Sequence, residues 1–129
     1  MIHLTGHCLC QKTTLEINCT NAHVTACHCG MCRTQTAGPM FYTQKVEKEA
    51  YTFTKSEFVK VYASSEFAER GFCSNCGTVL FFRNQESQRT SFNPELFPEL
   101  IEQATFNDEI YYADKPEYYT FQNATSKRQ

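Results

Sequence analysis

Seven of the chain's eight cysteines fall into three tight clusters: Cys8 with Cys10, Cys27 with Cys29 and Cys32, and Cys73 with Cys76. Nothing else in the sequence limits the fold as strongly. Thiolates at these spacings converge on metal ions, and a metal that joins distant segments fixes which segments become neighbours. In Cys73-Ser74-Asn75-Cys76 two sulfurs reach one metal from a single turn, and Gly77 lets the backbone curl so that its amides approach them. Such a knuckle supplies two ligands and needs two more from elsewhere. The run Cys27-His28-Cys29-Gly30-Met31-Cys32 offers three thiolates within six residues. Three thiolates fill three corners of a tetrahedron and leave the fourth to solvent or a substrate. The economical partition puts one zinc on Cys8, Cys10, Cys73 and Cys76 and a second on Cys27, Cys29 and Cys32. Spacing alone also allows Cys8 and Cys10 to complete a site with two of the central cysteines, or His28 or Cys19 to close the central one. His3, His7 and His23 are read as surface or supporting groups rather than ligands.

Disulfides are the competing use of so many cysteines, but crowded C-x-C neighbours make poor partners for separate unstrained bridges. The chain opens without a positive flank followed by an apolar stretch, and no apolar run approaches the ~20 residues that span a bilayer. The expectation is a cytoplasmic protein with reduced thiols and no membrane partner. Its 12 basic and 14 acidic side chains nearly cancel, leaving −2. With no basic stripe, nucleic acid is not an expected partner. A length of 129 residues suits one domain spanning residues 1–129.

Short β-branched and aromatic runs separated by polar turns predict strands at residues 13–17, 23–27, 40–46, 51–54, 58–62 and 78–83. Fainter strand patterns lie at 88–92 and 109–113. Residues 94–103 predict a short helix with Leu96, Leu100 and Phe97 inward, and 31–36 a helical turn after the central cysteines. Many strands with little helix predict a mainly β fold.

Three anionic sulfurs make zinc a weaker Lewis acid than three imidazoles would, so the better match is thiol chemistry, since zinc deprotonates a coordinating thiol. A thiolate at the open corner could attack a small aldehyde, or release one from a thiohemiacetal, without redox change. Arg33 beside the central cluster suits a carboxylate of such a substrate. Glu66, Glu69 and Arg70, just before the knuckle, are candidates to orient the groups around the metal. A non-catalytic zinc-binding interaction domain or a thiol carrier is the main alternative.

The motifs G-H-C-L-C at 6–10, C-H-C-G-M-C-R at 27–33 and F-C-S-N-C-G-T at 72–78 resemble the glutathione-dependent formaldehyde-activating enzyme family, also called the Gfa or centromere-protein-V family. The likeness continues through Gly38-Pro39, residues 64–71 and residues 114–119. It implies Mss4-like, zinc-stapled β-sheets, a structural zinc on Cys8, Cys10, Cys73 and Cys76, and a catalytic zinc on Cys27, Cys29 and Cys32. It further implies a carbon–sulfur lyase joining formaldehyde and glutathione as S-(hydroxymethyl)glutathione, with glutathione as the small-molecule partner. Two positions depart from the family's pattern. Gln11 stands where glycine usually follows the second cysteine, which predicts a differently shaped turn, and Ala37 stands where glycine often precedes Gly38-Pro39.

Overall fold

A computed structural model describes residues 1–129 and shows a mainly β protein. Strands β1 (Ile2–His7), β2 (Thr14–Cys19) and β5 (Tyr51–Lys55) form a three-stranded antiparallel sheet. A second sheet orders β11 (Ser126–Lys127), β10 (Thr105–Ile110), β3 (His23–Cys27) and β4 (Met40–Thr43). In it β10 runs parallel to both β3 and β11, while β3 and β4 are antiparallel. A third, antiparallel sheet orders β6 (Val59–Ala63), β7 (Ala68–Cys73), β8 (Val79–Asn84) and β9 (Thr90–Phe92). Helix α1 (Gly30–Thr36) and a single helical turn, α2 (Pro98–Ile101), are the α-helices. No helix is long and apolar enough to cross a membrane.

Alternation along the strands explains the core. Leu15 and Ile17 of β2 and Leu4 of β1 bury their side chains with Leu80 and Phe81 of β8 and Phe92 of β9. Leu96, Phe97 and Leu100 complete this cluster, as their pattern predicts, but not on one helix. Pro94 opens a 3-10 turn (Pro94–Leu96), and Pro98 starts α2 afresh because proline has no N–H to continue the preceding turn. Phe81 leaves no room beside it. A Cβ on Gly71 would lie 2.2 Å from the Phe81 Cζ, so β7 can cross the ring only as glycine.

The predicted strands at 13–17, 23–27, 51–54, 58–62 and 78–83 all appear, 23–27 with the same bounds and the others within one or two residues. The run at 40–46 ends as a ladder at Thr43, and Val46 then bridges Thr90 in the third sheet. Strand β10 starts upstream of the 109–113 run and includes only its first two residues, while the later ones enter a 3-10 turn (Tyr112–Asp114). Strand β1 alternates as I-H-L-T-G-H with Leu4 and Gly6 buried but is not among the predicted strands, and β7 has no clear alternation to announce it. Gln11 takes φ 64° and Ala37 φ 58°, the left-handed conformation that glycine enters freely.

Candidate metal centre and adjoining cavity

Two of the three sequence clusters merge in space. The turn after β1 carries Cys8 and Cys10, and the β7–β8 hairpin carries Cys73 and Cys76. The four sulfurs lie within 4.8 Å of one another, Cys8 to Cys10 at 3.5 Å and Cys10 to Cys73 at 3.9 Å. A tetrahedral zinc with Zn–S bonds of about 2.3 Å sets its sulfurs about 3.8 Å apart, so this set fits such an ion. The surrounding donors also suit thiolates. The Thr13 amide donates to Cys8 Sγ at 3.4 Å, Asn75 Nδ2 to Cys10 Sγ at 3.3 Å and the Thr78 hydroxyl to Cys76 Sγ at 3.1 Å. Gly77, at φ 80°, returns its amide to the Cys73 carbonyl at 2.7 Å and closes the knuckle. Cys8 and Cys73 are buried, and the set joins two separate sheets at the edge of the main core.

Cys27, Cys29 and Cys32 form a second set, again within 4.8 Å of one another, and could also hold a metal ion. The local sequence explains this convergence. Cys27 ends β3, Cys29 is the N-cap of α1, and Cys32 sits in its first turn, donating its amide to Cys29 Sγ at 3.4 Å. An N-cap that accepts from the residue three on brings those two side chains together. The Tyr42 hydroxyl on β4 donates to Cys32 Sγ at 3.2 Å, and Arg70 Nη1 on β7 approaches the same sulfur at 3.5 Å. Burial pushes the Tyr42 phenol up, so it remains a donor. Among free thiols, the neighbouring Cys27 thiol, with Tyr42 and Arg70, holds Cys32 down at about 5 despite burial, while Cys32 and burial push Cys27 up.

A cavity of about 440 Å³ opens beside this second set. Cys27, Cys29, Cys32, Tyr42, Phe82 and Arg70 form part of its wall, with Lys45 and Arg128 further round. Three cationic side chains and no carboxylate line it. Exposed Met31, Phe67 and Tyr111 give the lining an apolar share. An open groove of about 800 Å³ along the C-terminal segment contains none of the clustered cysteines.

Neither alternative fourth ligand joins the central set. Cys19 is buried in the main core, its thiol pushed up to about 11 by burial. His28 is fully buried and turned away from the sulfurs. Its Nε2 lies 2.8 Å from Glu109 Oε1 and its Nδ1 2.6 Å from the Tyr119 hydroxyl. Burial would raise the Glu109 carboxyl, yet hydrogen bonds from Thr125 and His28 hold it below its ordinary value. An ionised carboxylate only accepts, so Nε2 carries a proton towards Glu109. Arg33 also lies off the cavity wall, its Nε donating to the His28 carbonyl at 2.9 Å. Glu66 is exposed, and Glu69 is paired with Arg83 at 2.6 Å; of the three residues before the knuckle, Arg70 alone meets a clustered cysteine.

Sequence reasoning missed Tyr42, Glu109 and Tyr119. Tyr42 lies in a predicted strand, but only its pairing opposite Thr25, near the Cys27–Met40 pair, brings it to the sulfurs. Glu109 opens a predicted strand directly after Asp108, and nothing in that pattern marks it as the buried one of the two acids.

The sequence model of the family described as glutathione-dependent formaldehyde-activating enzyme matches residues 3–120. A Schizosaccharomyces pombe protein described as an uncharacterized lyase is 38% identical over 122 residues, covering 94% of this chain and 87% of that one. A crystal structure of a Rhodobacter sphaeroides protein superposes with a TM-score of 0.64 over 81% of this chain and 100% of that one. At 17% identity this likeness speaks for the fold alone.

Proposed function

This chain belongs to the glutathione-dependent formaldehyde-activating enzyme family, and on that premise we propose that it is a zinc-dependent carbon–sulfur lyase acting on a thiol–aldehyde adduct such as S-(hydroxymethyl)glutathione. The observation that carries the reading is the second cysteine set. It gathers three sulfurs and no fourth protein ligand, and it faces a cavity with three cations and no carboxylate. Cys8, Cys10, Cys73 and Cys76 would hold the structural zinc that makes residues 1–129 one stapled domain. Cys27, Cys29 and Cys32 would hold the catalytic one. Bound there, zinc supplies deprotonation of a substrate thiol.

The chain's own residues do the rest. Tyr42 and Arg70 fix Cys32 from two different sheets, so the set keeps its shape when a substrate enters. Lys45 makes the cavity favourable for an anionic thiol such as glutathione, while Arg70 faces Cys32 and Arg128 is paired with Asp108, and Met31, Phe67 and Tyr111 offer the substrate apolar contact. In the forward direction a C–S bond forms, the carbonyl π pair moves to oxygen, and the proton lost from sulfur ends on that oxygen. The reverse breaks the same bond, and no electron carrier is required.

The test is exchange spectroscopy with isotopically labelled formaldehyde and glutathione, measuring thiohemiacetal exchange with and without the zinc-loaded protein. Exchange faster than in buffer, abolished by Cys27→Ser, is expected. A rate equal to that in buffer, with both metals bound, overturns the enzyme reading.

A further inference from the structure

Arg70 is 4% exposed and is the chain's single buried lysine or arginine. None of the chain's ion pairs includes it. Its Nε is buried without any partner, and only Nη1 is engaged within the protein, with Cys32 Sγ at 3.5 Å and Gln35 Oε1 at 3.1 Å. The guanidinium lies over the Phe82 ring, 5.0 Å from its centroid, and forms part of the cavity wall. Burying an unpaired guanidinium is strongly unfavourable, so such a group persists where an anion compensates it. The anionic candidate in contact is Cys32, and behind it Cys27 and Cys29. Three thiolates around a divalent ion leave one net negative charge, which matches one guanidinium.

We propose that Arg70 is the counter-cation of the Cys27, Cys29 and Cys32 set, and that its charge determines how tightly this set holds a divalent metal. The inference rests on reading that set as a metal site, and it reaches beyond the lyase reading because metal affinity is measurable without turnover. Gln35 completes the arrangement. It lies three residues after Cys32 on α1 and accepts from the same Nη1, so the arginine faces the sulfur from a fixed direction. Arg70 thus acts through Cys32, as a positioning and charge-balancing residue.

The experiment is chelator competition for zinc on the full chain and on Arg70→Met, Arg70→Gln and Arg70→Lys, with thermal unfolding followed in parallel. Loss of a group that supports a metal ligand commonly lowers affinity about 10–100-fold. The expectation is therefore a fall of at least about tenfold for the weaker-held zinc in Arg70→Met and Arg70→Gln. Arg70→Lys should stay within about threefold because it keeps the charge, and the more tightly held zinc should not move. Arg70→Met discriminates further. With the more weakly held zinc removed, Arg70→Met deletes a buried charge rather than stranding one, so unfolding measured there should stay near wild type while metal affinity falls. A structural arginine would instead lose both together. A chain with two zincs whose Arg70→Met and Arg70→Gln variants keep wild-type affinity at both overturns the proposal. A wild-type chain that holds one zinc overturns the underlying reading of the second set instead.

Discussion

Removing the His28 imidazole should destabilise the protein more than changes at most other non-ligand positions. The ring is fully buried, Glu109 is 1% exposed, and the two meet at 2.8 Å. Rings of Tyr112, Tyr119 and Phe121 surround it, with centroids 5.7, 5.5 and 6.0 Å away. In His28→Ala the Glu109 carboxylate keeps the Thr125 hydroxyl and a Lys127 ammonium 3.7 Å away, but loses its buried donor. Stranding one member of a buried hydrogen-bonded pair costs about 3–5 kcal/mol. For a chain of this length that corresponds to a fall of roughly 10–20 °C in Tm. Glu109→Gln keeps an acceptor and should cost about 1–3 kcal/mol, and Tyr119→Phe, which deletes one hydroxyl, about 1 kcal/mol. Urea unfolding of the single and paired variants at saturating zinc would measure the coupling. The sign of its pH dependence follows from Glu109, whose carboxyl is lower in the folded chain. Its contribution is complete above the unfolded value of about 4.3 and is lost as pH falls through the folded value. The difference between wild type and Glu109→Gln should therefore persist down to about pH 4 and close below it. Metal release in acid is common to both chains and cancels in that difference. A His28→Ala cost under about 1.5 kcal/mol, well below the range for breaking a buried pair, would refute this reasoning.

Three further predictions concern the frame around the site. Ala37→Gly should raise stability by about 1 kcal/mol, because Ala37 caps α1 at φ 58° and ψ 40°, where a Cβ is strained; calorimetry showing no gain would contradict this. Gly71→Ala should cost about 1–3 kcal/mol or more, since the new methyl would meet Phe81 at 2.2 Å in a fully packed core; a denaturant midpoint equal to wild type would show that the ring moves freely. Cys19→Ala should leave the zinc content unchanged at a cost of about 1 kcal/mol, because the buried thiol lies outside both sulfur sets; loss of a zinc would mean that it serves as a ligand.

The cysteines announced themselves in the sequence because metal ligation demands particular atoms at particular spacings, and both sets assemble with the predicted partners. The mainly β character was legible for a related reason, since alternation such as Leu15 and Ile17 directly records which face is buried. What the sequence hid depends on contacts between distant segments. Arg70 and Cys32 are 38 residues apart and His28 and Glu109 are 81 apart, and nothing local says that they touch. Helix capping likewise turned Cys29 and Cys32 towards one point, whereas the divided 94–103 segment shows proline overriding an apolar pattern that continued past it. Gln11 and Ala37 carry a different lesson. Neither side chain announces a positive φ in the sequence, yet the surrounding structure holds both in the left-handed region.

The central claim is that the two sulfur sets do different work, one holding the sheets together and the other serving substrate. Zinc per chain from native mass spectrometry, measured with thermal unfolding on wild type, Cys32→Ser and Cys73→Ser, tests this most directly. A structural zinc contributes on the order of 10 kcal/mol or more, comparable to the whole stability of a domain. The account predicts two zincs on wild type, one on a folded Cys32→Ser chain, and failure to fold for Cys73→Ser. If Cys32→Ser unfolds as completely as Cys73→Ser, both sets are structural and the division of labour is wrong.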